Sequence, residues 1–178
     1  MTGSAGALVI VVMGVSGTGK SSVAALLAAG LGVDLVEGDA FHPASNIDKM
    51  SAGVALTDDD RWPWLEVLAA LAREERAADR SVVLTCSALK RSYRDVLRSG
   101  VEEGQVFFVH LHAVAEVLAE RMARRTEHFM PAALLASQLA TLEPLEDDER
   151  GVTVDVVGPL ADVAAAARLE VERARTGS

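Results

Sequence analysis

Residues 8–21 read Leu-Val-Ile-Val-Val-Met-Gly-Val-Ser-Gly-Thr-Gly-Lys-Ser, and this stretch decides the fold class. Its first six residues, Leu8 to Met13, form an apolar run rich in β-branched side chains, which predicts a buried strand. The next eight satisfy the pattern G-x-x-x-x-G-K-[ST], and an amphipathic helix pattern follows them directly. A strand, a glycine-rich loop and a helix in this order are typical of a phosphate-binding site. The sequence therefore predicts an α/β protein that binds a nucleotide.

The residues of this loop have distinct chemical tasks. Glycines allow backbone amides to converge on phosphate oxygens, and the helix N-terminus adds a favourable dipole. Lys20 has the length to reach the β- and γ-phosphates, and the hydroxyl of Ser21 is a ligand for Mg²⁺. The predicted nucleotide-binding residues are Gly14, Val15, Ser16, Gly17, Thr18, Gly19, Lys20, Ser21 and Ser22.

Short apolar runs alternate with helical patterns along the rest of the chain. Further strands are predicted at Val33 to Glu37, Ser81 to Thr85, Val106 to Leu111 and Val152 to Val157. Helical patterns occupy residues 20–30, 62–78, 88–98, 114–125, 132–141 and 160–174. This alternation predicts a doubly wound five-stranded parallel sheet, with every strand buried, in a single domain spanning residues 1–178. Residues 38–61 fit the alternation poorly, and a long connection of this kind is often functional.

Composition excludes several classes of protein. The chain of 178 residues has 17 basic and 26 acidic side chains and a net charge of -9, which disfavours binding to nucleic acid. The run Leu8 to Met13 is far shorter than a membrane span, so no membrane association is expected. A single cysteine, Cys86, makes no intrachain disulfide, which suits a reducing compartment and predicts a cytoplasmic location.

The phosphate loop is shared by several classes of nucleotide-binding protein, which other motifs separate. Switch GTPases carry an N-K-x-D motif that does not occur in this sequence. Motor ATPases have an apolar strand that ends in Asp-Glu, whereas the strand at residues 81–85 leads into Cys86-Ser87. These differences leave the small-molecule kinases.

A carboxylate follows the second predicted strand, in the sequence Glu37-Gly38-Asp39. Ligands of doubly wound folds bind at the carboxyl ends of the strands, so Asp39 is placed to face the transferred phosphate. There a carboxylate orients or deprotonates the attacking hydroxyl, or holds the metal through water. The alternative is that Asp39 only caps the turn after Gly38.

Motifs along nearly the whole chain resemble those of the gluconate kinases, a family of P-loop small-molecule kinases. They are M-G-V-S-G-T-G-K-S at 13–21, G-D-x-x-H-P at 38–43, N-I-x-K-M at 46–50, G-x-x-L-x-D-x-D-R-x-P-W-L at 53–65, C-S-A-L-K-x-x-Y-R-D at 86–95, H-F-M-P at 128–131, S-Q at 137–138 and L-E-P at 142–144. The resemblance implies a shikimate-kinase-like fold with a helical lid at about 121–141. It also implies Mg²⁺- and ATP-dependent phosphorylation of D-gluconate at the 6-hydroxyl, usually by a cytosolic homodimer. The alternatives are a shikimate or adenylylsulfate kinase, or a nucleotide-binding regulator without activity.

Basic side chains within these motifs are candidates for binding an anionic substrate. All three lysines of the chain, Lys20, Lys49 and Lys90, lie in them. Arg94 follows Lys90 on the same helical face, although a solvated basic face is the alternative for Arg94. Arg61 resembles the substrate-side arginine of the family. His42 is held in extended backbone by Pro43 and so presents its ring to a polyol, unless it is an ordinary loop histidine.

The predicted lid supplies the remaining candidates. Arg121 and Arg125 share a helical face and are expected to bind the ATP phosphates, and surface pairing with Glu116 or Glu120 is the alternative. The resemblance adds His128 as a substrate ligand and places Pro159 in a loop that brackets adenine. Glu127 departs from the family pattern, in which Gly is usual. The predicted catalytic residues are Asp39, Lys20 and Arg125, and the predicted metal ligands are Ser21 and Asp39.

Overall fold

A computed structural model describes residues 6–124 and 132–177 of the chain. In this part, five strands alternate with seven α-helices. The strands are β1 (Val9–Met13), β2 (Asp34–Glu37), β3 (Val82–Thr85), β4 (Val106–His112) and β5 (Gly151–Asp155). The helices are α1 (Lys20–Leu31), α2 (Ala44–Ser51), α3 (Asp58–Ala77), α4 (Arg91–Arg98), α5 (Ala115–Ala123), α6 (Ala132–Thr141) and α7 (Leu160–Thr176).

All five strands join one parallel sheet in the order β2-β3-β1-β4-β5. The central strand β1 is completely buried, as its unbroken run of apolar residues predicts. Its last residue, Met13, pairs with His110 of β4, and Val12 pairs with Thr85 of β3. The carboxyl ends of the three central strands therefore meet at one edge of the sheet, and the predicted doubly wound parallel fold is confirmed.

The two edge strands differ from the expectation that every strand is buried. In β2 no residue is fully buried, and in β5 only Val154 is. An edge strand has a neighbour on one side alone, so its backbone and side chains are less completely covered than those of a central strand. Apolar composition did not distinguish edge strands from central ones.

Residues 38–61 contain more regular structure than their composition predicts. Gly38–Phe41 form a short 3₁₀ helix, and α2 follows it. Helix α3 begins at Asp58 instead of residue 62, because Thr57 and Asp60 form a capping box: each side chain accepts a hydrogen bond from the backbone N–H of the other. The segment thus brings Asp39, α2 and the start of α3 to the carboxyl edge of the sheet.

Helix α4 is shorter than the predicted pattern at 88–98, because Ala88 has a positive φ of 45° and Lys90 is extended. Within residues 6–124 and 132–177, none of the helices combines the length and apolar character that crossing a membrane requires.

Candidate functional site at the carboxyl edge of the sheet

The loop between β1 and α1 has the shape that its glycines predict. Gly14, Gly17 and Gly19 all have φ between 86° and 137°, a region that favours glycine. A Cβ atom on Gly14 would lie 2.6 Å from the carbonyl oxygen of Leu111 in β4, so this position also lacks space for a side chain. The buried hydroxyl of Thr18 donates to the carbonyl of Val15 at 2.9 Å and closes the loop. The loop leads directly into the N-terminus of α1.

A network of hydroxyl groups and a carboxylate orients Ser21, the predicted metal ligand. Ser21 Oγ donates to Glu37 Oε2 at 3.1 Å, and Thr85 Oγ1 donates to the same oxygen at 2.7 Å. Thr85 Oγ1 in turn accepts the backbone N–H of Gly38 at 3.1 Å. Because the Ser21 proton points to Glu37, the oxygen lone pairs of Ser21 are left to face a cation. Sequence reasoning missed Glu37. The signal that could have revealed it was its position at the end of a predicted strand, two residues before Asp39.

A pocket beside the phosphate loop brings together residues predicted to bind the nucleotide and residues predicted to bind the substrate. Lys20, Asp39, His42 and Arg61 line it together. The other lining residues are Ser16, Met50, Ala55, Leu56, Ser87, Leu134, Ser137 and Gln138. The pocket thus joins the loop, the 3₁₀ helix, α2, α3 and α6. We refer to it below as the acceptor pocket.

The predicted base Asp39 and the neighbouring His42 differ in their surroundings. The side chain of Asp39 is 81% exposed, and its Oδ1 lies 3.8 Å from His42 Nε2. The His42 ring is buried and stacks on Trp64 with 4.0 Å between centroids. Burial lowers the pKa of His42, Asp39 opposes this shift, and Arg61 adds to it. His42 is therefore neutral at pH 7 and offers the pocket a hydrogen-bonding ring.

Arg61 is a buried cation in the wall of the acceptor pocket. The residue is 8% exposed, and its guanidinium carbon lies 5.6 Å from the centroid of the Tyr93 ring. Its Nε atom is buried and has no hydrogen-bond partner in the described part of the chain. A buried guanidinium with an unused donor is well suited to receive an anionic ligand, because leaving such a donor unpaired is costly.

Lys49 and Lys90 contact carboxylates at the start of α3 instead of lining the acceptor pocket. Lys49 Nζ donates to Asp60 at 2.7 Å, and Lys90 Nζ donates to Asp58 at 2.8 Å. The hydrogen bond from Lys49, with those from Thr57, lowers the pKa of Asp60 to about 2. Lys90 and Tyr93 likewise lower the pKa of Asp58. The two lysines hold the first turn of α3 in position, and this turn places Arg61 in the wall of the pocket.

Arg94 has a different place from the one expected of a substrate ligand. Its side chain and that of Glu149 are both 0% exposed, and two hydrogen bonds of 2.7 Å join them. Its other donors bond to the carbonyl groups of Ala88, Leu89, Glu143 and Pro144. These contacts leave the guanidinium no donor for the pocket, so the structure assigns Arg94 to the core as a link between α4 and the segment before β5.

A second pocket lies on the other side of the phosphate loop. Its lining residues are Thr18, Gly19, Ser22, Val23, Arg121, Val156, Gly158, Leu160 and Val163. Arg121 donates to the carbonyl of Val156 at 2.6 Å, and Pro159, the N-cap residue of α7, lies in the chain between the lining residues Gly158 and Leu160. Arg121 thus shares a pocket both with the phosphate loop and with the loop expected to bracket adenine, and its contact with the ATP phosphates stays a prediction. The candidates Arg125, Glu127 and His128 lie outside the described residues.

Comparisons with known proteins agree with this arrangement. Residues 9–145 match the AAA domain family. Gluconokinase from Gluconobacter oxydans is 54% identical over 145 residues, which cover 82% of this chain and 80% of that protein. The crystal structure of a gluconokinase from Sinorhizobium meliloti superimposes with a TM-score of 0.87 at 50% identity, covering 96% of this chain and 94% of that one.

A more distant structure shows how widely the fold extends. Shikimate kinase from Aquifex aeolicus has a TM-score of 0.57 at 17% identity, covering 96% of this chain and all of that one, and so shares the fold alone. The motifs, the order of the strands and the close relatives agree: this chain belongs to the gluconokinase family.

Proposed function

We propose that this protein transfers the γ-phosphoryl group of ATP to the 6-hydroxyl of D-gluconate, giving 6-phospho-D-gluconate and ADP. The observation that carries the proposal is the acceptor pocket, which is lined by Lys20 and Asp39 together with the buried Arg61. A polyol with a terminal carboxylate has the chemistry to use both ends of such a pocket. Membership of the gluconokinase family supports the same substrate.

The nucleotide is held by residues 14–22, with Lys20 on its phosphates and the base beside Arg121 and Pro159. Mg²⁺ would be held by the predicted ligands Ser21 and Asp39 together with Glu37, because this cation prefers oxygen ligands. When bound, the ion neutralises charge on the phosphate oxygens. Arg125 of the lid adds a second cation to the transferred group.

The acceptor is oriented by groups at both ends of its chain. Arg61 binds the carboxylate. Hydrogen bonds with hydroxyl groups come from the neutral ring of His42 and from the predicted lid residue His128. The oxygen of the 6-hydroxyl attacks the γ-phosphorus, and the bond from this phosphorus to the oxygen of ADP breaks. The proton of the hydroxyl passes to Asp39, which is within reach of solvent and can lose it again. Lys49 and Lys90 act through α3, which they hold in place.

An assay of ADP release across a panel of acceptors tests this proposal. With D-gluconate we expect turnover and a product whose mass and NMR spectrum match the 6-phosphate. Turnover restricted to shikimate or adenylylsulfate would contradict the assignment of the substrate. Tight ATP binding without a phosphorylated product from any acceptor would instead indicate a nucleotide-binding regulator.

We also propose that the enzyme is a cytoplasmic homodimer which supplies 6-phosphogluconate to the pentose phosphate pathway. The family resemblance supports the dimer, and the net charge of -9 argues against a nucleic-acid partner. Light scattering after gel filtration measures the mass in solution, and twice the chain mass is the expected result. A mass equal to one chain would contradict the dimer.

A further inference from the structure

One hydrogen bond joins the phosphate loop to the wall of the acceptor pocket. The backbone N–H of Ser16 donates to Gln138 Oε1 at 2.7 Å. Ser16 lies in the loop before α1, whereas Gln138 lies on α6, and both residues line the acceptor pocket. The contact therefore fixes a side chain of α6 at the place where the nucleotide side and the acceptor side of the site meet.

The partner of this bond determines which way the Gln138 amide faces. A backbone N–H is a donor, so only the carbonyl oxygen of the glutamine amide can receive it. The nitrogen lies on the other branch of the same planar group, so the contact with Ser16 uses neither of its two N–H bonds. Gln138 thus offers donors on the branch that does not contact Ser16.

The position of α6 indicates which ligand meets these donors. Leu134, Ser137 and Gln138 are spaced so that they share one helical face, and all three line the acceptor pocket. The pocket beside Arg121, where the base is expected, is lined by residues of the loop, α1, α5 and the chain around α7. Gln138 therefore faces the acceptor and not the base of the nucleotide.

We propose that the amide nitrogen of Gln138 donates a hydrogen bond to a hydroxyl group of the sugar acid, and that this bond selects among acceptors. The inference rests on the proposed function, since it names a further contact for the same substrate. Arg61 recognises the negative charge, which many small acids share. A donor held in one orientation by the phosphate loop instead distinguishes acceptors by the position of a hydroxyl, because an acceptor that lacks it leaves the donor unpaired.

Two variants separate the donor from the contact with the loop. Gln138→Leu removes both, whereas Gln138→Glu keeps an oxygen for the Ser16 N–H and removes the donors. We expect each variant to raise KM for D-gluconate by about tenfold. In Gln138→Leu, KM for ATP should change by no more than about twofold. Ala136→Ser, at an exposed position of α6, is the matched control and should behave as the unmodified enzyme. Melting temperatures verify that each variant is folded.

Monodeoxy analogues of gluconate provide the decisive measurement. One analogue should lack the hydroxyl group that Gln138 contacts. With this analogue, kcat/KM of the unmodified enzyme should fall by the same factor by which Gln138→Leu lowers kcat/KM for gluconate. The analogue should cause no further fall in kcat/KM of Gln138→Leu. The inference is wrong if every analogue lowers kcat/KM of both enzymes by the same factor. It is also wrong if Gln138→Glu has the same KM for gluconate as the unmodified enzyme. In either case Gln138 only supports the loop. Failure of the unmodified enzyme to phosphorylate gluconate would instead contradict the proposed function.

Discussion

Arg61 is the residue whose surroundings say most about the ligand. It is buried against Tyr93, and its Nε has no hydrogen-bond partner among the described residues. Family resemblance alone singled it out in the sequence, because an arginine in the first turn of a helix rich in acidic residues otherwise suggests a local ion pair. The structure adds a physical argument for the proposed role, which is an unused buried donor at the wall of a pocket.

Replacing Arg61 with Met should weaken binding of the acceptor selectively. The loss of a charge-assisted hydrogen bond costs about 1.5–3 kcal/mol, so KM for D-gluconate should rise about 10- to 150-fold. KM for ATP should change little, because Arg61 lies on the acceptor side. Steady-state kinetics measures both constants. Arg168→Met is the control, since that arginine is half exposed and pairs with Glu172 at the surface; equal effects of the two changes would contradict the assignment.

Asp39→Asn should act on turnover instead of binding. The amide has nearly the shape of the carboxylate but cannot take the proton of the attacking hydroxyl, so kcat should fall by about 10²- to 10⁴-fold. Affinity for the nucleotide without Mg²⁺, measured by calorimetry, should largely persist because Asp39 lies outside residues 14–22. A nearly normal kcat would remove Asp39 from the mechanism and leave it the role of a turn residue.

The residues that sequence reasoning misplaced share a physical cause. Arg94 belongs to a basic helical face, but its partner Glu149 lies far away in the chain, and no local pattern reveals such a pair. Glu37 was passed over because its task depends on Ser21 and Thr85, which the fold brings to it from two other elements. Lys20, whose predicted role depends on its own motif alone, could be singled out from the sequence, and it lines the acceptor pocket.

At the scale of elements, two ion pairs hold the N-terminus of α3. Its position depends on the pairs Lys49–Asp60 and Lys90–Asp58, and Tyr93 also donates to Asp58. The sequence predicted the later turns of α3 from apolar periodicity. It missed the first turn and α2, because short polar helices have capping residues but little periodicity.

Lys90→Met and Asp58→Asn should have similar and non-additive effects on KM for D-gluconate. Each change breaks the same contact. KM of the double variant should therefore exceed the higher of the two single-variant KM values by no more than about twofold. Steady-state kinetics of the four proteins completes the cycle. If Lys90 instead bound the substrate itself, Lys90→Met would be much the more damaging change and the effects would add.

At the scale of the whole molecule, a buried ion pair joins Glu149 to Arg94, the residue that sequence reasoning assigned to the substrate. Removing one partner of such a pair typically costs about 3–5 kcal/mol, since the other charge stays buried without compensation. Arg94→Met should therefore lower the free energy of unfolding by about this amount, as measured by urea denaturation. The double variant Arg94→Met/Glu149→Leu should recover most of the loss. A stable single variant would contradict the role in the core.

The pair also predicts how stability depends on pH. Burial alone would raise the pKa of Glu149, but hydrogen bonds from Arg94 and from the Glu146 backbone outweigh it, so this pKa lies below its usual value of 4.5. The stabilisation is therefore complete above about pH 4.5 and is lost as the pH falls further. In Arg94→Met the shift of the Glu149 pKa should reverse its sign, because burial without Arg94 favours the protonated acid. The loss in free energy of unfolding relative to the unmodified protein should therefore shrink from pH 7 towards pH 5. Denaturation curves at several pH values measure this difference.

Gly38 links the acceptor side of the site to its nucleotide side. Its buried backbone lies directly against the carbonyl of Thr85, so that a Cβ atom there would collide with β3, and Trp64 Nε1 donates to its carbonyl at 2.8 Å. The spacing between Glu37 and Asp39 is thus fixed by main chain, whereas side chains of α2, α3 and α6 shape the pocket around the acceptor. Directed evolution towards longer or shorter sugar acids should consequently collect its useful changes in those three helices and leave the strand end untouched.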